Sequence, residues 1–265
     1  MTQSSLNYEL VNKQQGDSIS PCLVLIHGLF GSLDNLAVIR RHFEDKYSVL
    51  SIDLPDHGKS YRSDTFSFDD YAQSICSLIQ SLELTQVYLV GHSLGGKVAM
   101  LVAHKIPDIV KRLVVMDIAP VAYSPRHQNV LNGLNNVKLD QISDRKDAQK
   151  QLAEYVQDSG TQAFLLKSLY QNESGHWQWR FNVSLIEKDY DKLSAWTETE
   201  NLYSGPTLFI KGAESDYILA EHQDTIMRQL PNASAKIVQA GHWLHAQKPQ
   251  VINALITNFL PEKDN

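Results

Sequence analysis

Residues 91–95, Gly-His-Ser-Leu-Gly, constrain the fold most strongly, because the pattern G-x-S-x-G fits a sharp turn between a strand and a helix. An apolar, β-rich run at 87–90 precedes them, and a helix-like run at 96–104 follows. The flanking glycines let strand and helix approach each other without a Cβ clash. N–H groups at the start of the helix favour negative charge beside the hydroxyl of Ser93. The pattern predicts Ser93 as a nucleophile; the alternative is a glycine-rich turn with an incidental serine.

Strand-like and helix-like runs alternate along most of the 265 residues, which favours an α/β fold with a mostly parallel central sheet flanked by helices. Several strand-like runs are continuously apolar, as expected when helices cover both faces of a sheet. Ser67 is a predicted N-cap, with Asp70 three residues later. The predicted strands are 7–11, 22–27, 48–53, 86–90, 113–117, 206–211 and 235–239, and the predicted helices are 68–82, 221–230 and 249–260.

The stretch 123–203 interrupts this alternation and is mostly polar. A structureless loop of about 80 residues is improbable in a compact domain. We therefore predict a helical cap, or lid, at 123–203, inserted into a core formed by 1–122 and 204–265. Helical periodicity and then an aromatic patch occur within it, at 147–156, 162–170 and 177–181.

Composition excludes several classes of partner. The formal net charge is −6, whereas a face that binds nucleic acid must be basic, so no nucleic-acid partner is expected. No run reaches about 18 apolar residues, and the first residues carry neither a basic segment nor an apolar core. We therefore expect no membrane partner, no secretory signal and a cytoplasmic location. We expect the protein to be a monomer or a small homo-oligomer. Cys22 and Cys76 fit reduced core thiols.

A serine hydroxyl needs a base to take its proton, and after a G-x-S-x-G turn the chain order is serine, acid, histidine. His242 is the best candidate base, because it follows the last predicted strand directly and Gly241 frees its loop. The alternative is a surface loop histidine. His245 is a weaker candidate that we expect to begin the next helix and to face away from Ser93.

The acid has more than one candidate. Asp117 ends a predicted strand, and the carboxyl ends of strands are where open α/β sheets place functional groups. Asp216 follows the next sheet strand, and Glu214 is a third option. Any of these could instead be structural, because an aspartate after a strand often closes a turn or caps a helix.

The oxyanion of the reaction needs two backbone N–H donors. Leu94, directly after the nucleophile, is expected to supply one. The turn at 27–32 is expected to supply the other, from Leu29 or, as second choice, Phe30. Phe30, Trp179 and Trp243 are candidates for the substrate pocket. Trp179 could instead belong to the core of the cap.

One further stretch of the sequence is expected to have a structural role, and two kinds of binding motif do not occur in the chain. The polar stretch 53–60, including His57, is expected to shape a turn below the site. Neither metal-ligand spacing nor a glycine-rich dinucleotide motif after a strand occurs, so no metal and no cofactor are expected.

With these residues placed, the chain resembles the α/β-hydrolase superfamily, and closely its bacterial YbfF-type carboxylesterase branch. The resemblance implies an α/β-hydrolase fold, ester hydrolysis without cofactors, and an acid drawn from the Asp-Ile-x-Pro strand end, which maps to Asp117. The usual acid position of the superfamily maps to Ser215, one residue before Asp216. The resemblance is carried by 25–32 with Asn35 and Leu36, and by 53–60, 91–97, 117–120, 179–183 and 241–246.

Together these features predict a serine carboxylesterase that hydrolyses small to medium acyl esters through an acyl-enzyme intermediate. The same triad would serve an acyl-thioesterase, and a fold of this kind could also carry a non-catalytic ligand-binding protein. Dehalogenase and epoxide-hydrolase chemistry are disfavoured, because their turn carries aspartate where this chain carries Ser93.

Overall fold

The computed structural model describes residues 5–11 and 21–261. The strands in this part of the chain are β1 (Tyr8–Val11), β2 (Cys22–Ile26), β3 (Ser48–Ile52), β4 (Val87–His92), β5 (Val110–Met116), β6 (Leu169–Gln171), β7 (Trp177–Trp179), β8 (Thr207–Gly212) and β9 (Ala233–Val238). The helices are α1 (Ala37–Phe43), α2 (Phe68–Ser81), α3 (Leu94–Lys105), α4 (Gln128–Asn136), α5 (Arg145–Leu152), α6 (Ser159–Leu166), α7 (Val183–Lys188), α8 (Tyr190–Ser194), α9 (Gln223–Gln229), α10 (Leu244–Gln247) and α11 (Pro249–Phe259).

In the described residues a seven-stranded sheet forms the centre of the molecule, in the order β1-β3-β2-β4-β5-β8-β9. Only β1, at one edge of that sheet, runs antiparallel to its neighbour. The register of β2 on β4 pairs Ile26 with Gly91, so the turn after β2 lies beside Ser93. The predicted α/β class and mostly parallel sheet are confirmed.

Helices cover both faces of the sheet, because successive residues of each central strand point to opposite faces. Val24 packs in the hydrophobic cluster that contains residues of α2 and α3, whereas Leu23 and Leu25 pack in the cluster that contains residues of α1 and α11. All five residues of β2 are buried. The continuous apolar runs of the sequence therefore correspond to strands without a solvent-facing side.

Local signals set several element ends. The side chain of Ser67 accepts a hydrogen bond from the backbone N–H of Asp70 at 3.2 Å, which confirms the predicted N-cap of α2. β5 begins three residues earlier than the predicted 113, because Val110 already pairs with Val87. The predicted helix 221–230 is divided between a 3₁₀ turn, Ala220–His222, and α9.

The segment 123–203, which we call the cap segment, lies between β5 and β8 in the chain and contains α4 to α8. Its aromatic patch forms a strand, β7, which pairs antiparallel with β6. Gly175 has φ +79° in the loop that joins them, a conformation that glycine adopts without a side-chain clash. The expectation of a purely helical insertion missed this hairpin, and the boundaries of the cap remain a prediction.

Polar contacts fasten the cap segment to the rest of the molecule. Asn182 donates from its backbone N–H to the carbonyl of Asp56 and from Nδ2 to Asp56 Oδ1, both at 2.9 Å. Asp189 accepts from the backbone N–H of Phe66 at 2.7 Å. Leucines of the cap segment also pack in the same cluster as α2 and α3. The cap segment is thus fastened to the loop between β3 and α2.

Candidate active site

Ser93 lies at the end of β4, where the chain turns into α3. Its backbone has φ 52° and ψ −122°, a strained conformation for a residue other than glycine. A Cβ on Gly95 would lie 2.3 Å from the carbonyl oxygens of Ile26 and His27, and one on Gly91 would lie 2.3 Å from the carbonyl oxygen of Gly95. Since neither position tolerates a side chain, the glycines are required for the close approach that exposes the Ser93 hydroxyl at the sheet edge.

His242 follows β9 and brings its imidazole to that hydroxyl. The Nε2 atom of His242 is 3.0 Å from Ser93 Oγ, and Nδ1 is 2.8 Å from Oδ2 of Asp117. Because a carboxylate only accepts hydrogen bonds, Nδ1 carries the proton and Nε2 is free to accept the proton of the serine. The side chain of His242 keeps 20% of its surface exposed.

Asp117 follows β5 with φ 52° and is fully buried. Its Oδ1 atom accepts a hydrogen bond from the backbone N–H of Gly212 at 2.9 Å. The hydroxyl of Ser215 donates to Oδ2, the same oxygen that faces His242. These donors satisfy both carboxylate oxygens of Asp117 and fix their orientation toward the imidazole.

The other two acidic candidates lie elsewhere. Asp216 is 72% exposed, and its carboxylate pairs with Arg126 at 2.6 Å. Glu214 is exposed. The structure therefore brings Asp117, and neither of these residues, to His242. Sequence reasoning did not give Ser215 a role, although its place at the usual superfamily acid position was a signal that this loop reaches the site.

His245 lies in α10 and faces away from Ser93, against the ring of His92 at 4.5 Å between centroids. Burial, and then the neighbouring His242, lower the pKa of His245 to about 4. His92 in turn places Nε2 at 2.9 Å from the carbonyl oxygen of His242, so its Nε2 carries a proton. This hydrogen bond holds the loop that carries His242.

The predicted oxyanion donors lie beside the nucleophile, since Leu29 and Leu94 line a pocket together with Ser93. Within the described part of the chain, neither backbone N–H donates to a protein acceptor. The turn is fixed by Phe30, which has φ 61° and whose carbonyl accepts from Ser168 Oγ at 3.1 Å. Two unpaired donors beside the nucleophile, one in this turn and one at the start of α3, fit an oxyanion-binding arrangement.

Two pockets meet at Ser93 and share Leu29, Arg126, His127 and Tyr217 in their linings. One extends past Leu94 to Lys97, Ile118, Tyr123 and Leu193. The other extends over Phe30, Val130, Phe164, Leu165 and Trp243. An ester bound with its carbonyl at Ser93 could place its acyl part on one side and its alcohol part on the other.

Of the pocket candidates, Phe30 and Trp243 line the second pocket, but Trp179 lines neither. Its ring is only 7% exposed and stacks on Phe181, with 5.7 Å between centroids and 11° between planes. Phe181 in turn contacts Phe30 at 5.0 Å. The structure thus corrects the prediction for Trp179, which packs within the cap.

The stretch 53–60 has the structural role expected for it. The carboxylate of Asp53 accepts from the backbone N–H groups of Leu33 and Lys59, at 2.7 and 2.9 Å. His57 is fully buried and donates through Nδ1 to the carbonyl of Pro55 at 2.9 Å. Burial lowers the pKa of His57 to about 3. The described residues hold no cluster of three or more histidine, cysteine or acidic side chains suited to a metal ion.

Comparison with known proteins agrees with this fold. A family model described as alpha/beta hydrolase fold matches residues 21–249, and the chain belongs to that family. Its resemblance to the YbfF-type branch is also confirmed, since it is 33% identical to "Esterase YbfF" of Escherichia coli over 96% of this chain and 98% of that one. None of the helices within the described residues has the length and hydrophobicity of a membrane span.

Other relatives cover nearly the whole chain. A "Putative esterase/lipase" of Haemophilus influenzae is 38% identical over 98% of this chain and 90% of its own length. The "sn-1-specific diacylglycerol lipase ABHD11" of Mus musculus is 37% identical over 96% of this chain and 85% of its own length. A solved structure titled "Marine microorganism esterase" superposes with a TM-score of 0.90 at 32% identity, covering 97% of this chain and 99% of that one.

Proposed function

We propose that this protein is a serine carboxylesterase that hydrolyses small to medium acyl esters through an acyl-enzyme intermediate. One observation carries the proposal: the hydrogen-bonded series from Ser93 Oγ to His242 Nε2 at 3.0 Å, and from His242 Nδ1 to Asp117 Oδ2 at 2.8 Å. The names of relatives that match nearly the whole chain, esterase and lipase, support an ester as the substrate.

Acylation begins when Ser93 Oγ attacks the ester carbonyl and His242 Nε2 takes the hydroxyl proton. Asp117 stabilises the resulting imidazolium and remains ionised. The N–H groups of Leu29 and Leu94 hold the negative oxygen of the tetrahedral intermediate. When that intermediate collapses, the bond to the alcohol oxygen breaks, and His242 returns the proton to the leaving alcohol.

Deacylation repeats these steps with water as the nucleophile. His242 takes a proton from the water as it attacks the acyl carbonyl, and then returns the proton to Ser93 Oγ as the carboxylic acid leaves. Neither a metal nor a redox cofactor is needed for the balance of these steps. The imidazole of His242 is partly exposed, which suits its role as the base in deacylation because water must reach it. The carboxylate of Asp117, which only orients the imidazole, is buried.

Labelling with a fluorophosphonate probe tests the proposal directly, because such probes react with activated serine hydroxyls. We expect one adduct, which peptide mass spectrometry maps to the peptide that contains Ser93. Ser93→Ala should abolish labelling, and Asp216→Asn, a change outside the proposed triad, should leave it intact. An unlabelled wild-type protein, or labelling that survives Ser93→Ala, would contradict the proposal.

A further inference from the structure

Lys97 is a buried lysine on the nucleophile helix. It lies one turn after Ser93 in α3, and its backbone N–H donates to the carbonyl of Ser93 at 3.2 Å. Only 2% of its surface is exposed, and it lines the same pocket as Ser93 and Leu94. Side chains on a helix lean toward its N-terminus, so the lysine stem leans toward the nucleophile end of α3.

The ammonium group of Lys97 is surrounded mainly by aromatic rings. Its Nζ atom is 5.5, 4.9 and 5.3 Å from the ring centroids of Phe68, Tyr123 and Trp196. These distances allow cation–π attraction, which stabilises a cation without neutralising it. The geometry therefore suits a positive charge at this end of the pocket.

The hydrogen-bonding capacity of this ammonium is largely unused. It donates to the carbonyl oxygen of Ala195 at 3.3 Å, although an ammonium has three N–H groups. Within residues 5–11 and 21–261 no carboxylate lies within 4.0 Å of Lys97 Nζ, whereas buried cations are normally paired with an anion. Burial lowers the pKa of Lys97 to about 7, which reports the cost of holding the unpaired charge.

The rest of the pocket lining presents no competing negative charge. Among the described residues that line it there is no aspartate or glutamate. Ile118 and Leu193 supply apolar surface, and Arg126 is a second cation in the lining, paired with the exposed Asp216. A substrate that carries an anion past Ser93 would meet Lys97 without repulsion from the wall.

We propose that Lys97 binds a carboxylate at the far end of the acyl group, so that monoesters of short dicarboxylic acids are preferred substrates. This inference rests on the proposed function, because it takes Ser93 as the attacked end of the pocket. Ser93 and Lys97 line the same pocket, so a short diacid chain attached at Ser93 extends toward the side of the pocket where the ammonium lies.

The test compares two methyl esters that differ mainly in charge. Monomethyl glutarate carries a terminal carboxylate, and methyl 5-methylhexanoate replaces the two carboxylate oxygens with methyl groups. Methanol release at pH 7 gives kcat/KM for each ester. We expect the wild-type protein to favour the anionic ester, and Lys97→Met to lower the ratio of anionic to neutral kcat/KM at least tenfold. A general loss of activity lowers kcat/KM equally for both esters and leaves their ratio unchanged. A change in the ratio therefore reports a change in the recognition of the charge.

Lys105 supplies a matched control on the same helix, since it pairs with Asp69 at 2.7 Å and does not line the pocket. Lys105→Met should leave the ratio unchanged. A wild-type protein that prefers the neutral ester overturns the inference without any variant. The test therefore remains decisive even if Lys97→Met fails to fold. A folded Lys97→Met with the wild-type ratio also overturns it.

Ser93→Ala with the neutral ester separates this inference from the proposed function. Hydrolysis of methyl 5-methylhexanoate that depends on Ser93, combined with no preference for the anionic ester, rejects only the role of Lys97. Hydrolysis that persists in Ser93→Ala rejects the proposed function itself.

Discussion

The ring of Tyr217 stacks on the imidazole of His242, with 4.2 Å between the centroids and 25° between the planes. Tyr217 is itself fixed at two points. Its carbonyl accepts a hydrogen bond from the hydroxyl of Tyr123, and its own hydroxyl lies 3.3 Å from Nε2 of His127. A side chain held in this way restricts the orientations of the imidazole.

Replacing the ring of Tyr217 should therefore slow the reaction. Tyr217→Phe retains the stacked ring and should reduce kcat by no more than a few-fold. Tyr217→Ala removes it, and an aromatic pair worth about 0.5–1.5 kcal/mol corresponds to roughly a two- to tenfold further loss. Steady-state kinetics with p-nitrophenyl butyrate measures both. Equal kcat values for the two variants would show that stacking on His242 does not contribute.

The assignment of Asp117 as the acid predicts that replacing it lowers kcat far more than replacing Asp216 does. Asp117→Asn disturbs the hydrogen bond that holds the proton on Nδ1 of His242, and should reduce kcat by about 10⁴, as the equivalent change does in a serine protease. Asp216→Asn loses only an ion pair with Arg126 and should stay near the wild-type rate. A large loss in Asp216→Asn alone would reverse the assignment.

Sequence reasoning located the candidate triad because each member follows a strand of one parallel sheet. Ser93, Asp117 and His242 come after β4, β5 and β9, and the carboxyl ends of parallel strands meet at a single edge. The local signals were also strong: a glycine-flanked serine and a glycine before the histidine. Fold class and approximate strand positions could therefore be predicted without coordinates.

The contacts that sequence reasoning missed join residues far apart in the chain. Asn182 and Asp56 are 126 positions apart, and nothing local to either residue indicates their pairing. The cap hairpin was missed because β6 and β7 have only three residues each, too short for a clear two-residue period. The surroundings of Lys97 similarly depend on rings brought from α2 and from the cap segment.

The pairing of Asn182 with Asp56 predicts a measurable contribution to stability. Asn182→Ala removes a donor to the buried Asp56 carboxylate and an N-cap acceptor for the Leu185 N–H, so the free energy of unfolding should fall by about 1–3 kcal/mol. Asn182→Asp keeps a capping oxygen but places a second carboxylate beside Asp56, and should cost at least as much.

Urea unfolding measures these differences, with Ser184→Ala as the control. The hydroxyl of the exposed Ser184 donates to Asn182 Oδ1 but does not contact Asp56, so its removal should cost less than about 0.5 kcal/mol. Asn182 variants as stable as this control would show that the contact does not hold the cap.

Buried histidines predict that the protein loses stability in mild acid. The pKa values of His57 and His245 in the folded state are lowered by burial to about 3 and about 4, below the ordinary value of 6.5. As pH falls below about 6.5, the unfolded chain takes up protons at these positions while the folded chain does not. Their stabilising contribution is therefore complete above about pH 6.5 and is lost as pH falls toward 4.

The variant His245→Leu isolates one of these groups, because leucine cannot titrate. Within the described residues Nδ1 of His245 has no hydrogen-bond partner, so the change leaves no polar group at that atom without its partner. Between about pH 6 and pH 4.5, the unfolding free energy of the variant should fall less steeply, by up to about 1.4 kcal/mol per pH unit. Denaturant unfolding at several pH values measures this slope, and an identical slope would refute the contribution.

The most direct test of the central claim is the turnover of p-nitrophenyl butyrate by Ser93→Ala. Alanine tolerates the backbone of Ser93 about as well as serine does, so circular dichroism should show an intact fold. The account predicts a loss in kcat of at least about 10⁴, because no other hydroxyl lies within hydrogen-bond reach of His242 Nε2 in the described residues. A pure, folded variant that turns over at close to the wild-type rate would contradict the account.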